Sequence, residues 1–216
     1  DMDILNWLIG KRCTRGQSLG SLTSFTRENM PEGAPEYCVQ GCPAAENCPY
    51  DARRIYLKDR MFSEHATNMK DPTDEDILRA ITETNYGKCV FQSDNDVVDH
   101  QVVNLLMEDG LTVNFQMVGF SNRGTRWIRI MGTRGEIWGD FHSNIIYHRL
   151  YGEKEDHVID LNQECTDFTG HGGGDEGMIY DAIRFFRGDE DFDSSSITSI
   201  DRSVESHFVA FAAEKS

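Results

Sequence analysis

This sequence predicts an α+β domain: a largely antiparallel, open β-sheet with helices packed on one face, plus an irregular insertion containing cysteine and proline. Three observations carry that expectation. Strand signals gather in the middle of the chain, from Val102 to Leu161. Helical periodicity sits at both ends and in one short stretch before the strands. All five prolines and three of the six cysteines fall between residues 27 and 72, where no regular period survives.

Residues 1–10 read as a helix, with Ile4, Leu5 and Leu8 on one face and Gly10 as its C-cap. Ser18 to Thr26 alternates Leu22 and Phe25 among Ser and Thr, and reads as a strand. Residues 27–72 form an excursion that needs its own fixing device, because a structureless loop of that length is uncommon in a compact domain. Thr73-Asp74-Glu75-Asp76 is a helix start, capped by Thr73, and the helix runs to about Thr84, burying Ile77, Leu78 and Ile81. Glu108-Asp109-Gly110 separates two β runs, Val102–Met107 and Leu111–Val118, and Asp-Gly there is a hairpin signal. In the second run Leu111, Val113, Phe115 and Met117 alternate with polar residues, so one face is buried and the other wet. Further strands are expected at Trp127–Met131, Glu136–Phe141, Ile145–Tyr151 and His157–Leu161. Two helices close the chain, at 175–187 and about 198–215. The last carries Ile200, Val204, Phe208 and Phe211 on one stripe, with Thr198 and Asp201 as a capping box. The open face of the sheet needs a cover, and a second subunit supplies it most simply.

The composition is that of a soluble globular chain of 216 residues, 38% hydrophobic and 27% charged. A net charge of −16 argues against nucleic acid and anionic membrane as partners. No apolar run approaches the roughly 20 residues that span a bilayer. The opening Asp1-Met2-Asp3 has no basic region and enters directly into a helical pattern. It therefore reads as the latter part of a longer protein, cytoplasmic unless the preceding part carries an export signal.

Three stretches have residues suited to chemistry. Gly170-His171-Gly172-Gly173-Gly174-Asp175 precedes a helix whose Ile179, Ala182, Ile183 and Phe186 share a face. Glycines at a helix start let the backbone approach a ligand, and His171 with Asp175 can form a proton-shuttling or hydrogen-bonding pair. The competing reading is a flexible loop with Asp175 as an ordinary first-turn acid. Asp94 to Gln101 is a dense polar run that can hold a cation or line a substrate pocket. A loop followed by a strand start also explains it. Within the run His100 stands apart from His142, His148 and His157, which read as solvent-facing, and from His207, which reads as a packing residue. Cys38, Cys42 and Cys48 suit a soft metal, a structural zinc, with His65, Cys13 or Cys89 as the fourth ligand; an iron–sulfur cluster needs the same thiolates, and unlinked or disulfide-paired cysteines are the alternative. There is no serine elbow, no phosphate-binding loop and no strand–GxGxxG–helix.

Taken together, DMDILNWLIG at 1–10, DNDVVDHQ at 94–101, GTRGEIWGD at 132–140, GHGGGDEGMIYDAI at 170–183 and SVESHFVAFAAEKS at 203–216 resemble the C-terminal domain of the Gfo/Idh/MocA oxidoreductases. The resemblance implies a preceding Rossmann domain that binds NAD or NADP, and a C-terminal sheet that covers a small polyhydroxylated substrate and joins subunits into a homo-oligomer. The family's His-x-x-Asp pattern matches at Asp3, which puts the catalytic His immediately before residue 1; the Lys of its Glu-Lys-Pro motif is likewise outside this sequence. Catalytic and cofactor-binding residues are thus expected outside the chain, which alone is expected to be inactive. His171, Asp175, Asp99 and His100 are the expected substrate contacts, and Cys38, Cys42 and Cys48 belong to an insertion of a subgroup. The implied reaction is hydride transfer between a secondary alcohol and the nicotinamide. Two other readings compete: a metal-binding interaction module built on the cysteines, and a non-catalytic adaptor with the same fold.

Overall fold

Gly110 turns the hairpin that founds the first sheet. It takes φ +87°, a left-handed conformation that glycine adopts without a Cβ clash, and the Met107 N–H reaches the Leu111 carbonyl at 2.8 Å. The computed structural model describes residues 1–122, 124–164, 169–189 and 197–216; Cys165 lies outside them. The fold is α+β, with two open antiparallel sheets where the sequence suggests one. The chain divides into two compact units, Cys13–Phe120 with Phe211–Ser216, and Asp1–Arg12 with Ser121–Ala210.

In the first of these units, β1 (Cys13–Ser21), β2 (His100–Met107) and β3 (Thr112–Val118) form a sheet in the order β1-β2-β3. Val103, Leu105 and Met107 of β2 are buried. Opposite them, β3 alternates, with Val113, Phe115 and Met117 turned partly inward, whereas Leu111, expected on the same face, precedes the strand and is 42% exposed. β1 lies earlier in the chain than the sequence predicts. Its residues Cys-Thr-Arg-Gly-Gln-Ser have little strand character of their own, and pairing with β2 imposes the conformation. Residues 22–26 leave the ladder; the N–H groups of Thr23, Ser24 and Phe25 are committed to a side chain instead.

The excursion is made of short turns: one-turn 3-10 helices at Arg27–Asn29 and Cys38–Gln40, a π-helical turn at Arg53–Lys58 and the short α2 (Ser63–Thr67). Its fixing device is α3 (Asp74–Glu83). Ile77 and Ile81 of α3 are fully buried together with Cys38 and Ala52, with Val39, Tyr56 and Leu57 packed around them. Leu78, expected inside, is exposed, and Ala80 takes its place. Ile77, Ala80 and Ile81 lie three and four apart and so share a face; Leu78 lies off that face.

In the other unit, β4 (Trp127–Met131), β5 (Gly135–Asp140), β6 (Ile145–Leu150) and β7 (His157–Asp160) form a meander in sequence order. α1 (Met2–Ile9) ends at Gly10, left-handed at φ +64° as a C-cap. After β7 come α4 (Leu161–Glu164), α5 (Thr169–Gly172) and α6 (Gly174–Arg187). α7 (Ile200–Lys215) begins two residues later than the sequence suggests, with the Ser199 hydroxyl rather than Thr198 accepting a first-turn N–H, from Arg202. Among the described residues no helix is long and apolar enough to cross a membrane.

Candidate functional site

The start of β2 gathers the best-built polar site. Ser21 is the cross-strand partner of His100, so their side chains stand on the same face of the β1–β2 pair. Asp99, one residue earlier, is pinned by its own backbone: its N–H donates to the Ser21 carbonyl at 3.0 Å, and its carbonyl accepts from the Gly119 N–H at 2.7 Å. Gly119 has to be small here, because a Cβ would stand 3.2 Å from that carbonyl oxygen.

The Asp99 carboxylate is buried, 4% exposed, and fully engaged. Its Oδ2 accepts the backbone N–H groups of Thr23, Ser24 and Phe25 at 3.1, 2.6 and 3.1 Å. Three consecutive N–H groups curled around one oxygen form an anion nest, and Asn29 Nδ2 holds the turn by donating to the Thr23 and Ser24 carbonyls. Asp99 Oδ1 lies 2.8 Å from His100 Nδ1. Burial alone would raise the carboxyl pKa; the His100 contact and the three N–H groups outweigh it and bring it down to about 2.

An ionised Asp99 can only accept, so His100 Nδ1 is the donor, and in the neutral ring Nε2 is left as an acceptor. Nε2 lies 3.2 Å from Ser21 Oγ. The result is a Ser21–His100–Asp99 chain whose carboxylate orients the ring and whose outer end is a hydroxyl–imidazole pair. The ring is partly exposed, and Phe120 packs 6.3 Å from it between centroids. Such a pair can bind a hydroxyl-bearing ligand and hold its proton.

His171 and Asp175, the other expected pair, also meet: His171 Nδ1 lies 2.9 and 3.1 Å from the two carboxylate oxygens. His171 itself is left-handed at φ +53°, followed by Gly172 and Gly173 at +72° and +84°. The glycine loop is thus one helical turn, α5, broken by a left-handed run before α6. With His171 88% exposed, the pair stands open to water. It belongs to the other unit, which also has an open hollow of about 700 Å³ lined by Trp127, Arg129, Glu136, Trp138 and Arg149. Both hollow arginines are already paired, Arg129 with Glu136 and Arg149 with Asp156.

The three candidate metal-ligating cysteines, Cys38, Cys42 and Cys48, line one small cavity, and Cys89 joins them there. Of the three fourth-ligand candidates only Cys89 lines it; Cys13 Sγ lies against the Arg15 carbonyl and His65 packs on Phe62. All four are free thiols, and among the described residues no group of three or more His, Cys, Asp or Glu side chains is placed to hold a metal ion.

Ser21 is the residue that sequence reasoning misses. Its only signal is register: a hydroxyl that gains meaning when β1 is paired against β2. Comparison with family models, with curated proteins and with solved structures finds no match.

Proposed function

We propose that this chain is the substrate-covering and subunit-joining part of an NAD(P)-dependent oxidoreductase acting on a secondary alcohol of a sugar or cyclitol. The observation that carries the reading is the Asp99–His100 pair, with its ring nitrogen turned to the Ser21 hydroxyl. Polyol recognition needs fixed acceptors and donors spaced for vicinal hydroxyls, and this chain of groups is fixed by backbone N–H groups rather than by mobile side chains. A nicotinamide held by a separate dinucleotide domain would supply the hydride-transfer chemistry at the alcohol carbon. Within this chain, Asp99 holds the His100 ring and its tautomer, and His100 Nε2 with Ser21 Oγ receives a substrate hydroxyl and orients its carbon.

Two further features fit the reading. All five strand pairings among the described residues are antiparallel, the sheet type that the sequence leads one to expect of such a domain. One face of the four-stranded sheet exposes Ile130, Ile137, Leu150 and Ile159, an apolar patch suited to a second copy of the chain.

Saturation-transfer NMR of the purified chain with myo-inositol and with glucose tests the proposal. One of the two polyols is expected to receive saturation, to lose it in His100→Ala and to keep it in His142→Ala. Equal transfer in both variants, or none in the unsubstituted chain, overturns the role given to His100. Saturable binding of NADH by the chain alone overturns the assignment of the cofactor to a separate domain.

A further inference from the structure

The cysteine cavity lies outside the Asp99 site, and its chemistry is independent of any role in polyol oxidation. Cys38 begins a 3-10 turn closed by reciprocal bonds between Tyr37 and Gln40. Gly41 then takes φ +85°, which turns the chain back so that Cys42 follows on the same side. Pro43 and Pro49 come directly after Cys42 and Cys48 and restrict the backbone there. Cys89 arrives from beyond α3. An isolated bridge pairs Tyr37 with Lys88, and the Cys89 N–H donates to the Glu36 carbonyl at 2.8 Å. Four thiols from two distant stretches therefore surround one cavity of about 10 Å³, room for a single atom-sized guest.

The four sulfurs are sheltered from solvent to different degrees. Cys38 and Cys89 are buried, and Cys42 and Cys48 partly so. Arg53 is locked to the buried Asp51, which lines the cavity, through two bonds at 3.0 and 2.7 Å, so the two charges offset one another there.

We propose that Cys38, Cys42, Cys48 and Cys89 form a structural tetrathiolate site for one zinc ion, which ties the excursion to the segment after α3. The small cavity favours one ion over a cluster of several metals and sulfides. Binding releases the thiol protons to solvent and forms four Zn–S bonds of about 2.3 Å, drawing the sulfurs inward from their free-thiol positions.

The test uses the purified, reduced chain, stripped with a strong chelator and titrated with zinc and with cobalt(II). One zinc per chain by native mass spectrometry, a higher melting temperature on binding, and the charge-transfer and tetrahedral bands of a cobalt tetrathiolate are expected. Cys89→Ser is expected to weaken zinc by more than the roughly 10–100-fold typical of losing an outer-shell partner, and Cys13→Ser to leave it unchanged. Should Cys89→Ser fail to fold, the cobalt spectrum of the unsubstituted chain still reports the number of thiolates. Octahedral cobalt bands, zinc affinity indifferent to Cys89→Ser, disulfides among these four cysteines in the protein as purified, or iron with acid-labile sulfide each overturn the proposal.

Discussion

A carboxylate ringed by three backbone N–H groups and an imidazole stays ionised down to about pH 2. Its folded pKa lies below the unfolded value of about 3.9. Asp99 therefore contributes stability that is complete above pH ~4 and is lost as the pH falls toward about 2. Denaturant melts should show Asp99→Asn several degrees less stable than the unsubstituted chain near neutrality, with the difference closing at about pH 2. The same substitution offers an amide N–H to His100 in place of an acceptor, so the ring should switch to the Nε2–H tautomer, read from its imidazole ¹⁵N shifts. A ring that keeps its tautomer in the variant refutes the orienting role. Asp99 and His100 stand out in the sequence as part of a dense polar run. The nest does not, because the N–H groups of Thr23, Ser24 and Phe25 belong to every residue type and gain a role only from their curvature.

Local chemistry governs α3. Thr73 Oγ1 accepts the Asp76 N–H at 3.2 Å, and Asp76 Oδ2 accepts the Thr73 N–H at 3.1 Å, so the expected Thr73 cap is completed by a reciprocal bond. Thr73→Ala should cost about 1 kcal/mol in urea denaturation. Ile77→Ala, which empties the centre of the packing between α3 and the excursion, should cost about 2–5 kcal/mol. A larger loss at the cap than at Ile77 would mean that local helix formation outweighs tertiary packing here. α3, the Asp-Gly hairpin and the meander are legible because each depends on neighbours in sequence. β1 is not legible, since its strand conformation comes from β2, far along the chain.

At the scale of the whole molecule, several stripes that the sequence marks as apolar remain exposed. Ile200 and Phe208 on α7 are 75% and 66% exposed, and Phe186 on α6 is 85% exposed. Soluble monomers rarely leave such surface uncovered, which favours a partner for these helices as well as for the sheet. Analytical ultracentrifugation should find the chain as a dimer or larger, and Ile137→Lys, in the centre of the exposed sheet face, should shift it toward monomer. A chain that stays monomeric at high concentration removes the sheet face as a subunit contact.

The sequence by itself determines the fold class, the order of most helices and strands, the hairpin, and the residue types available for chemistry, because period, turn residues and caps act over a few positions. It also marks Cys38, Cys42 and Cys48 as a group. Tertiary structure decides the rest. It divides the strands between two sheets, brings Ser21 to His100 through register, and sets Cys89, rather than Cys13 or His65, beside the other three cysteines through the Tyr37–Lys88 bridge. Those choices depend on pairings between residues far apart in the chain, whose partners no local pattern names.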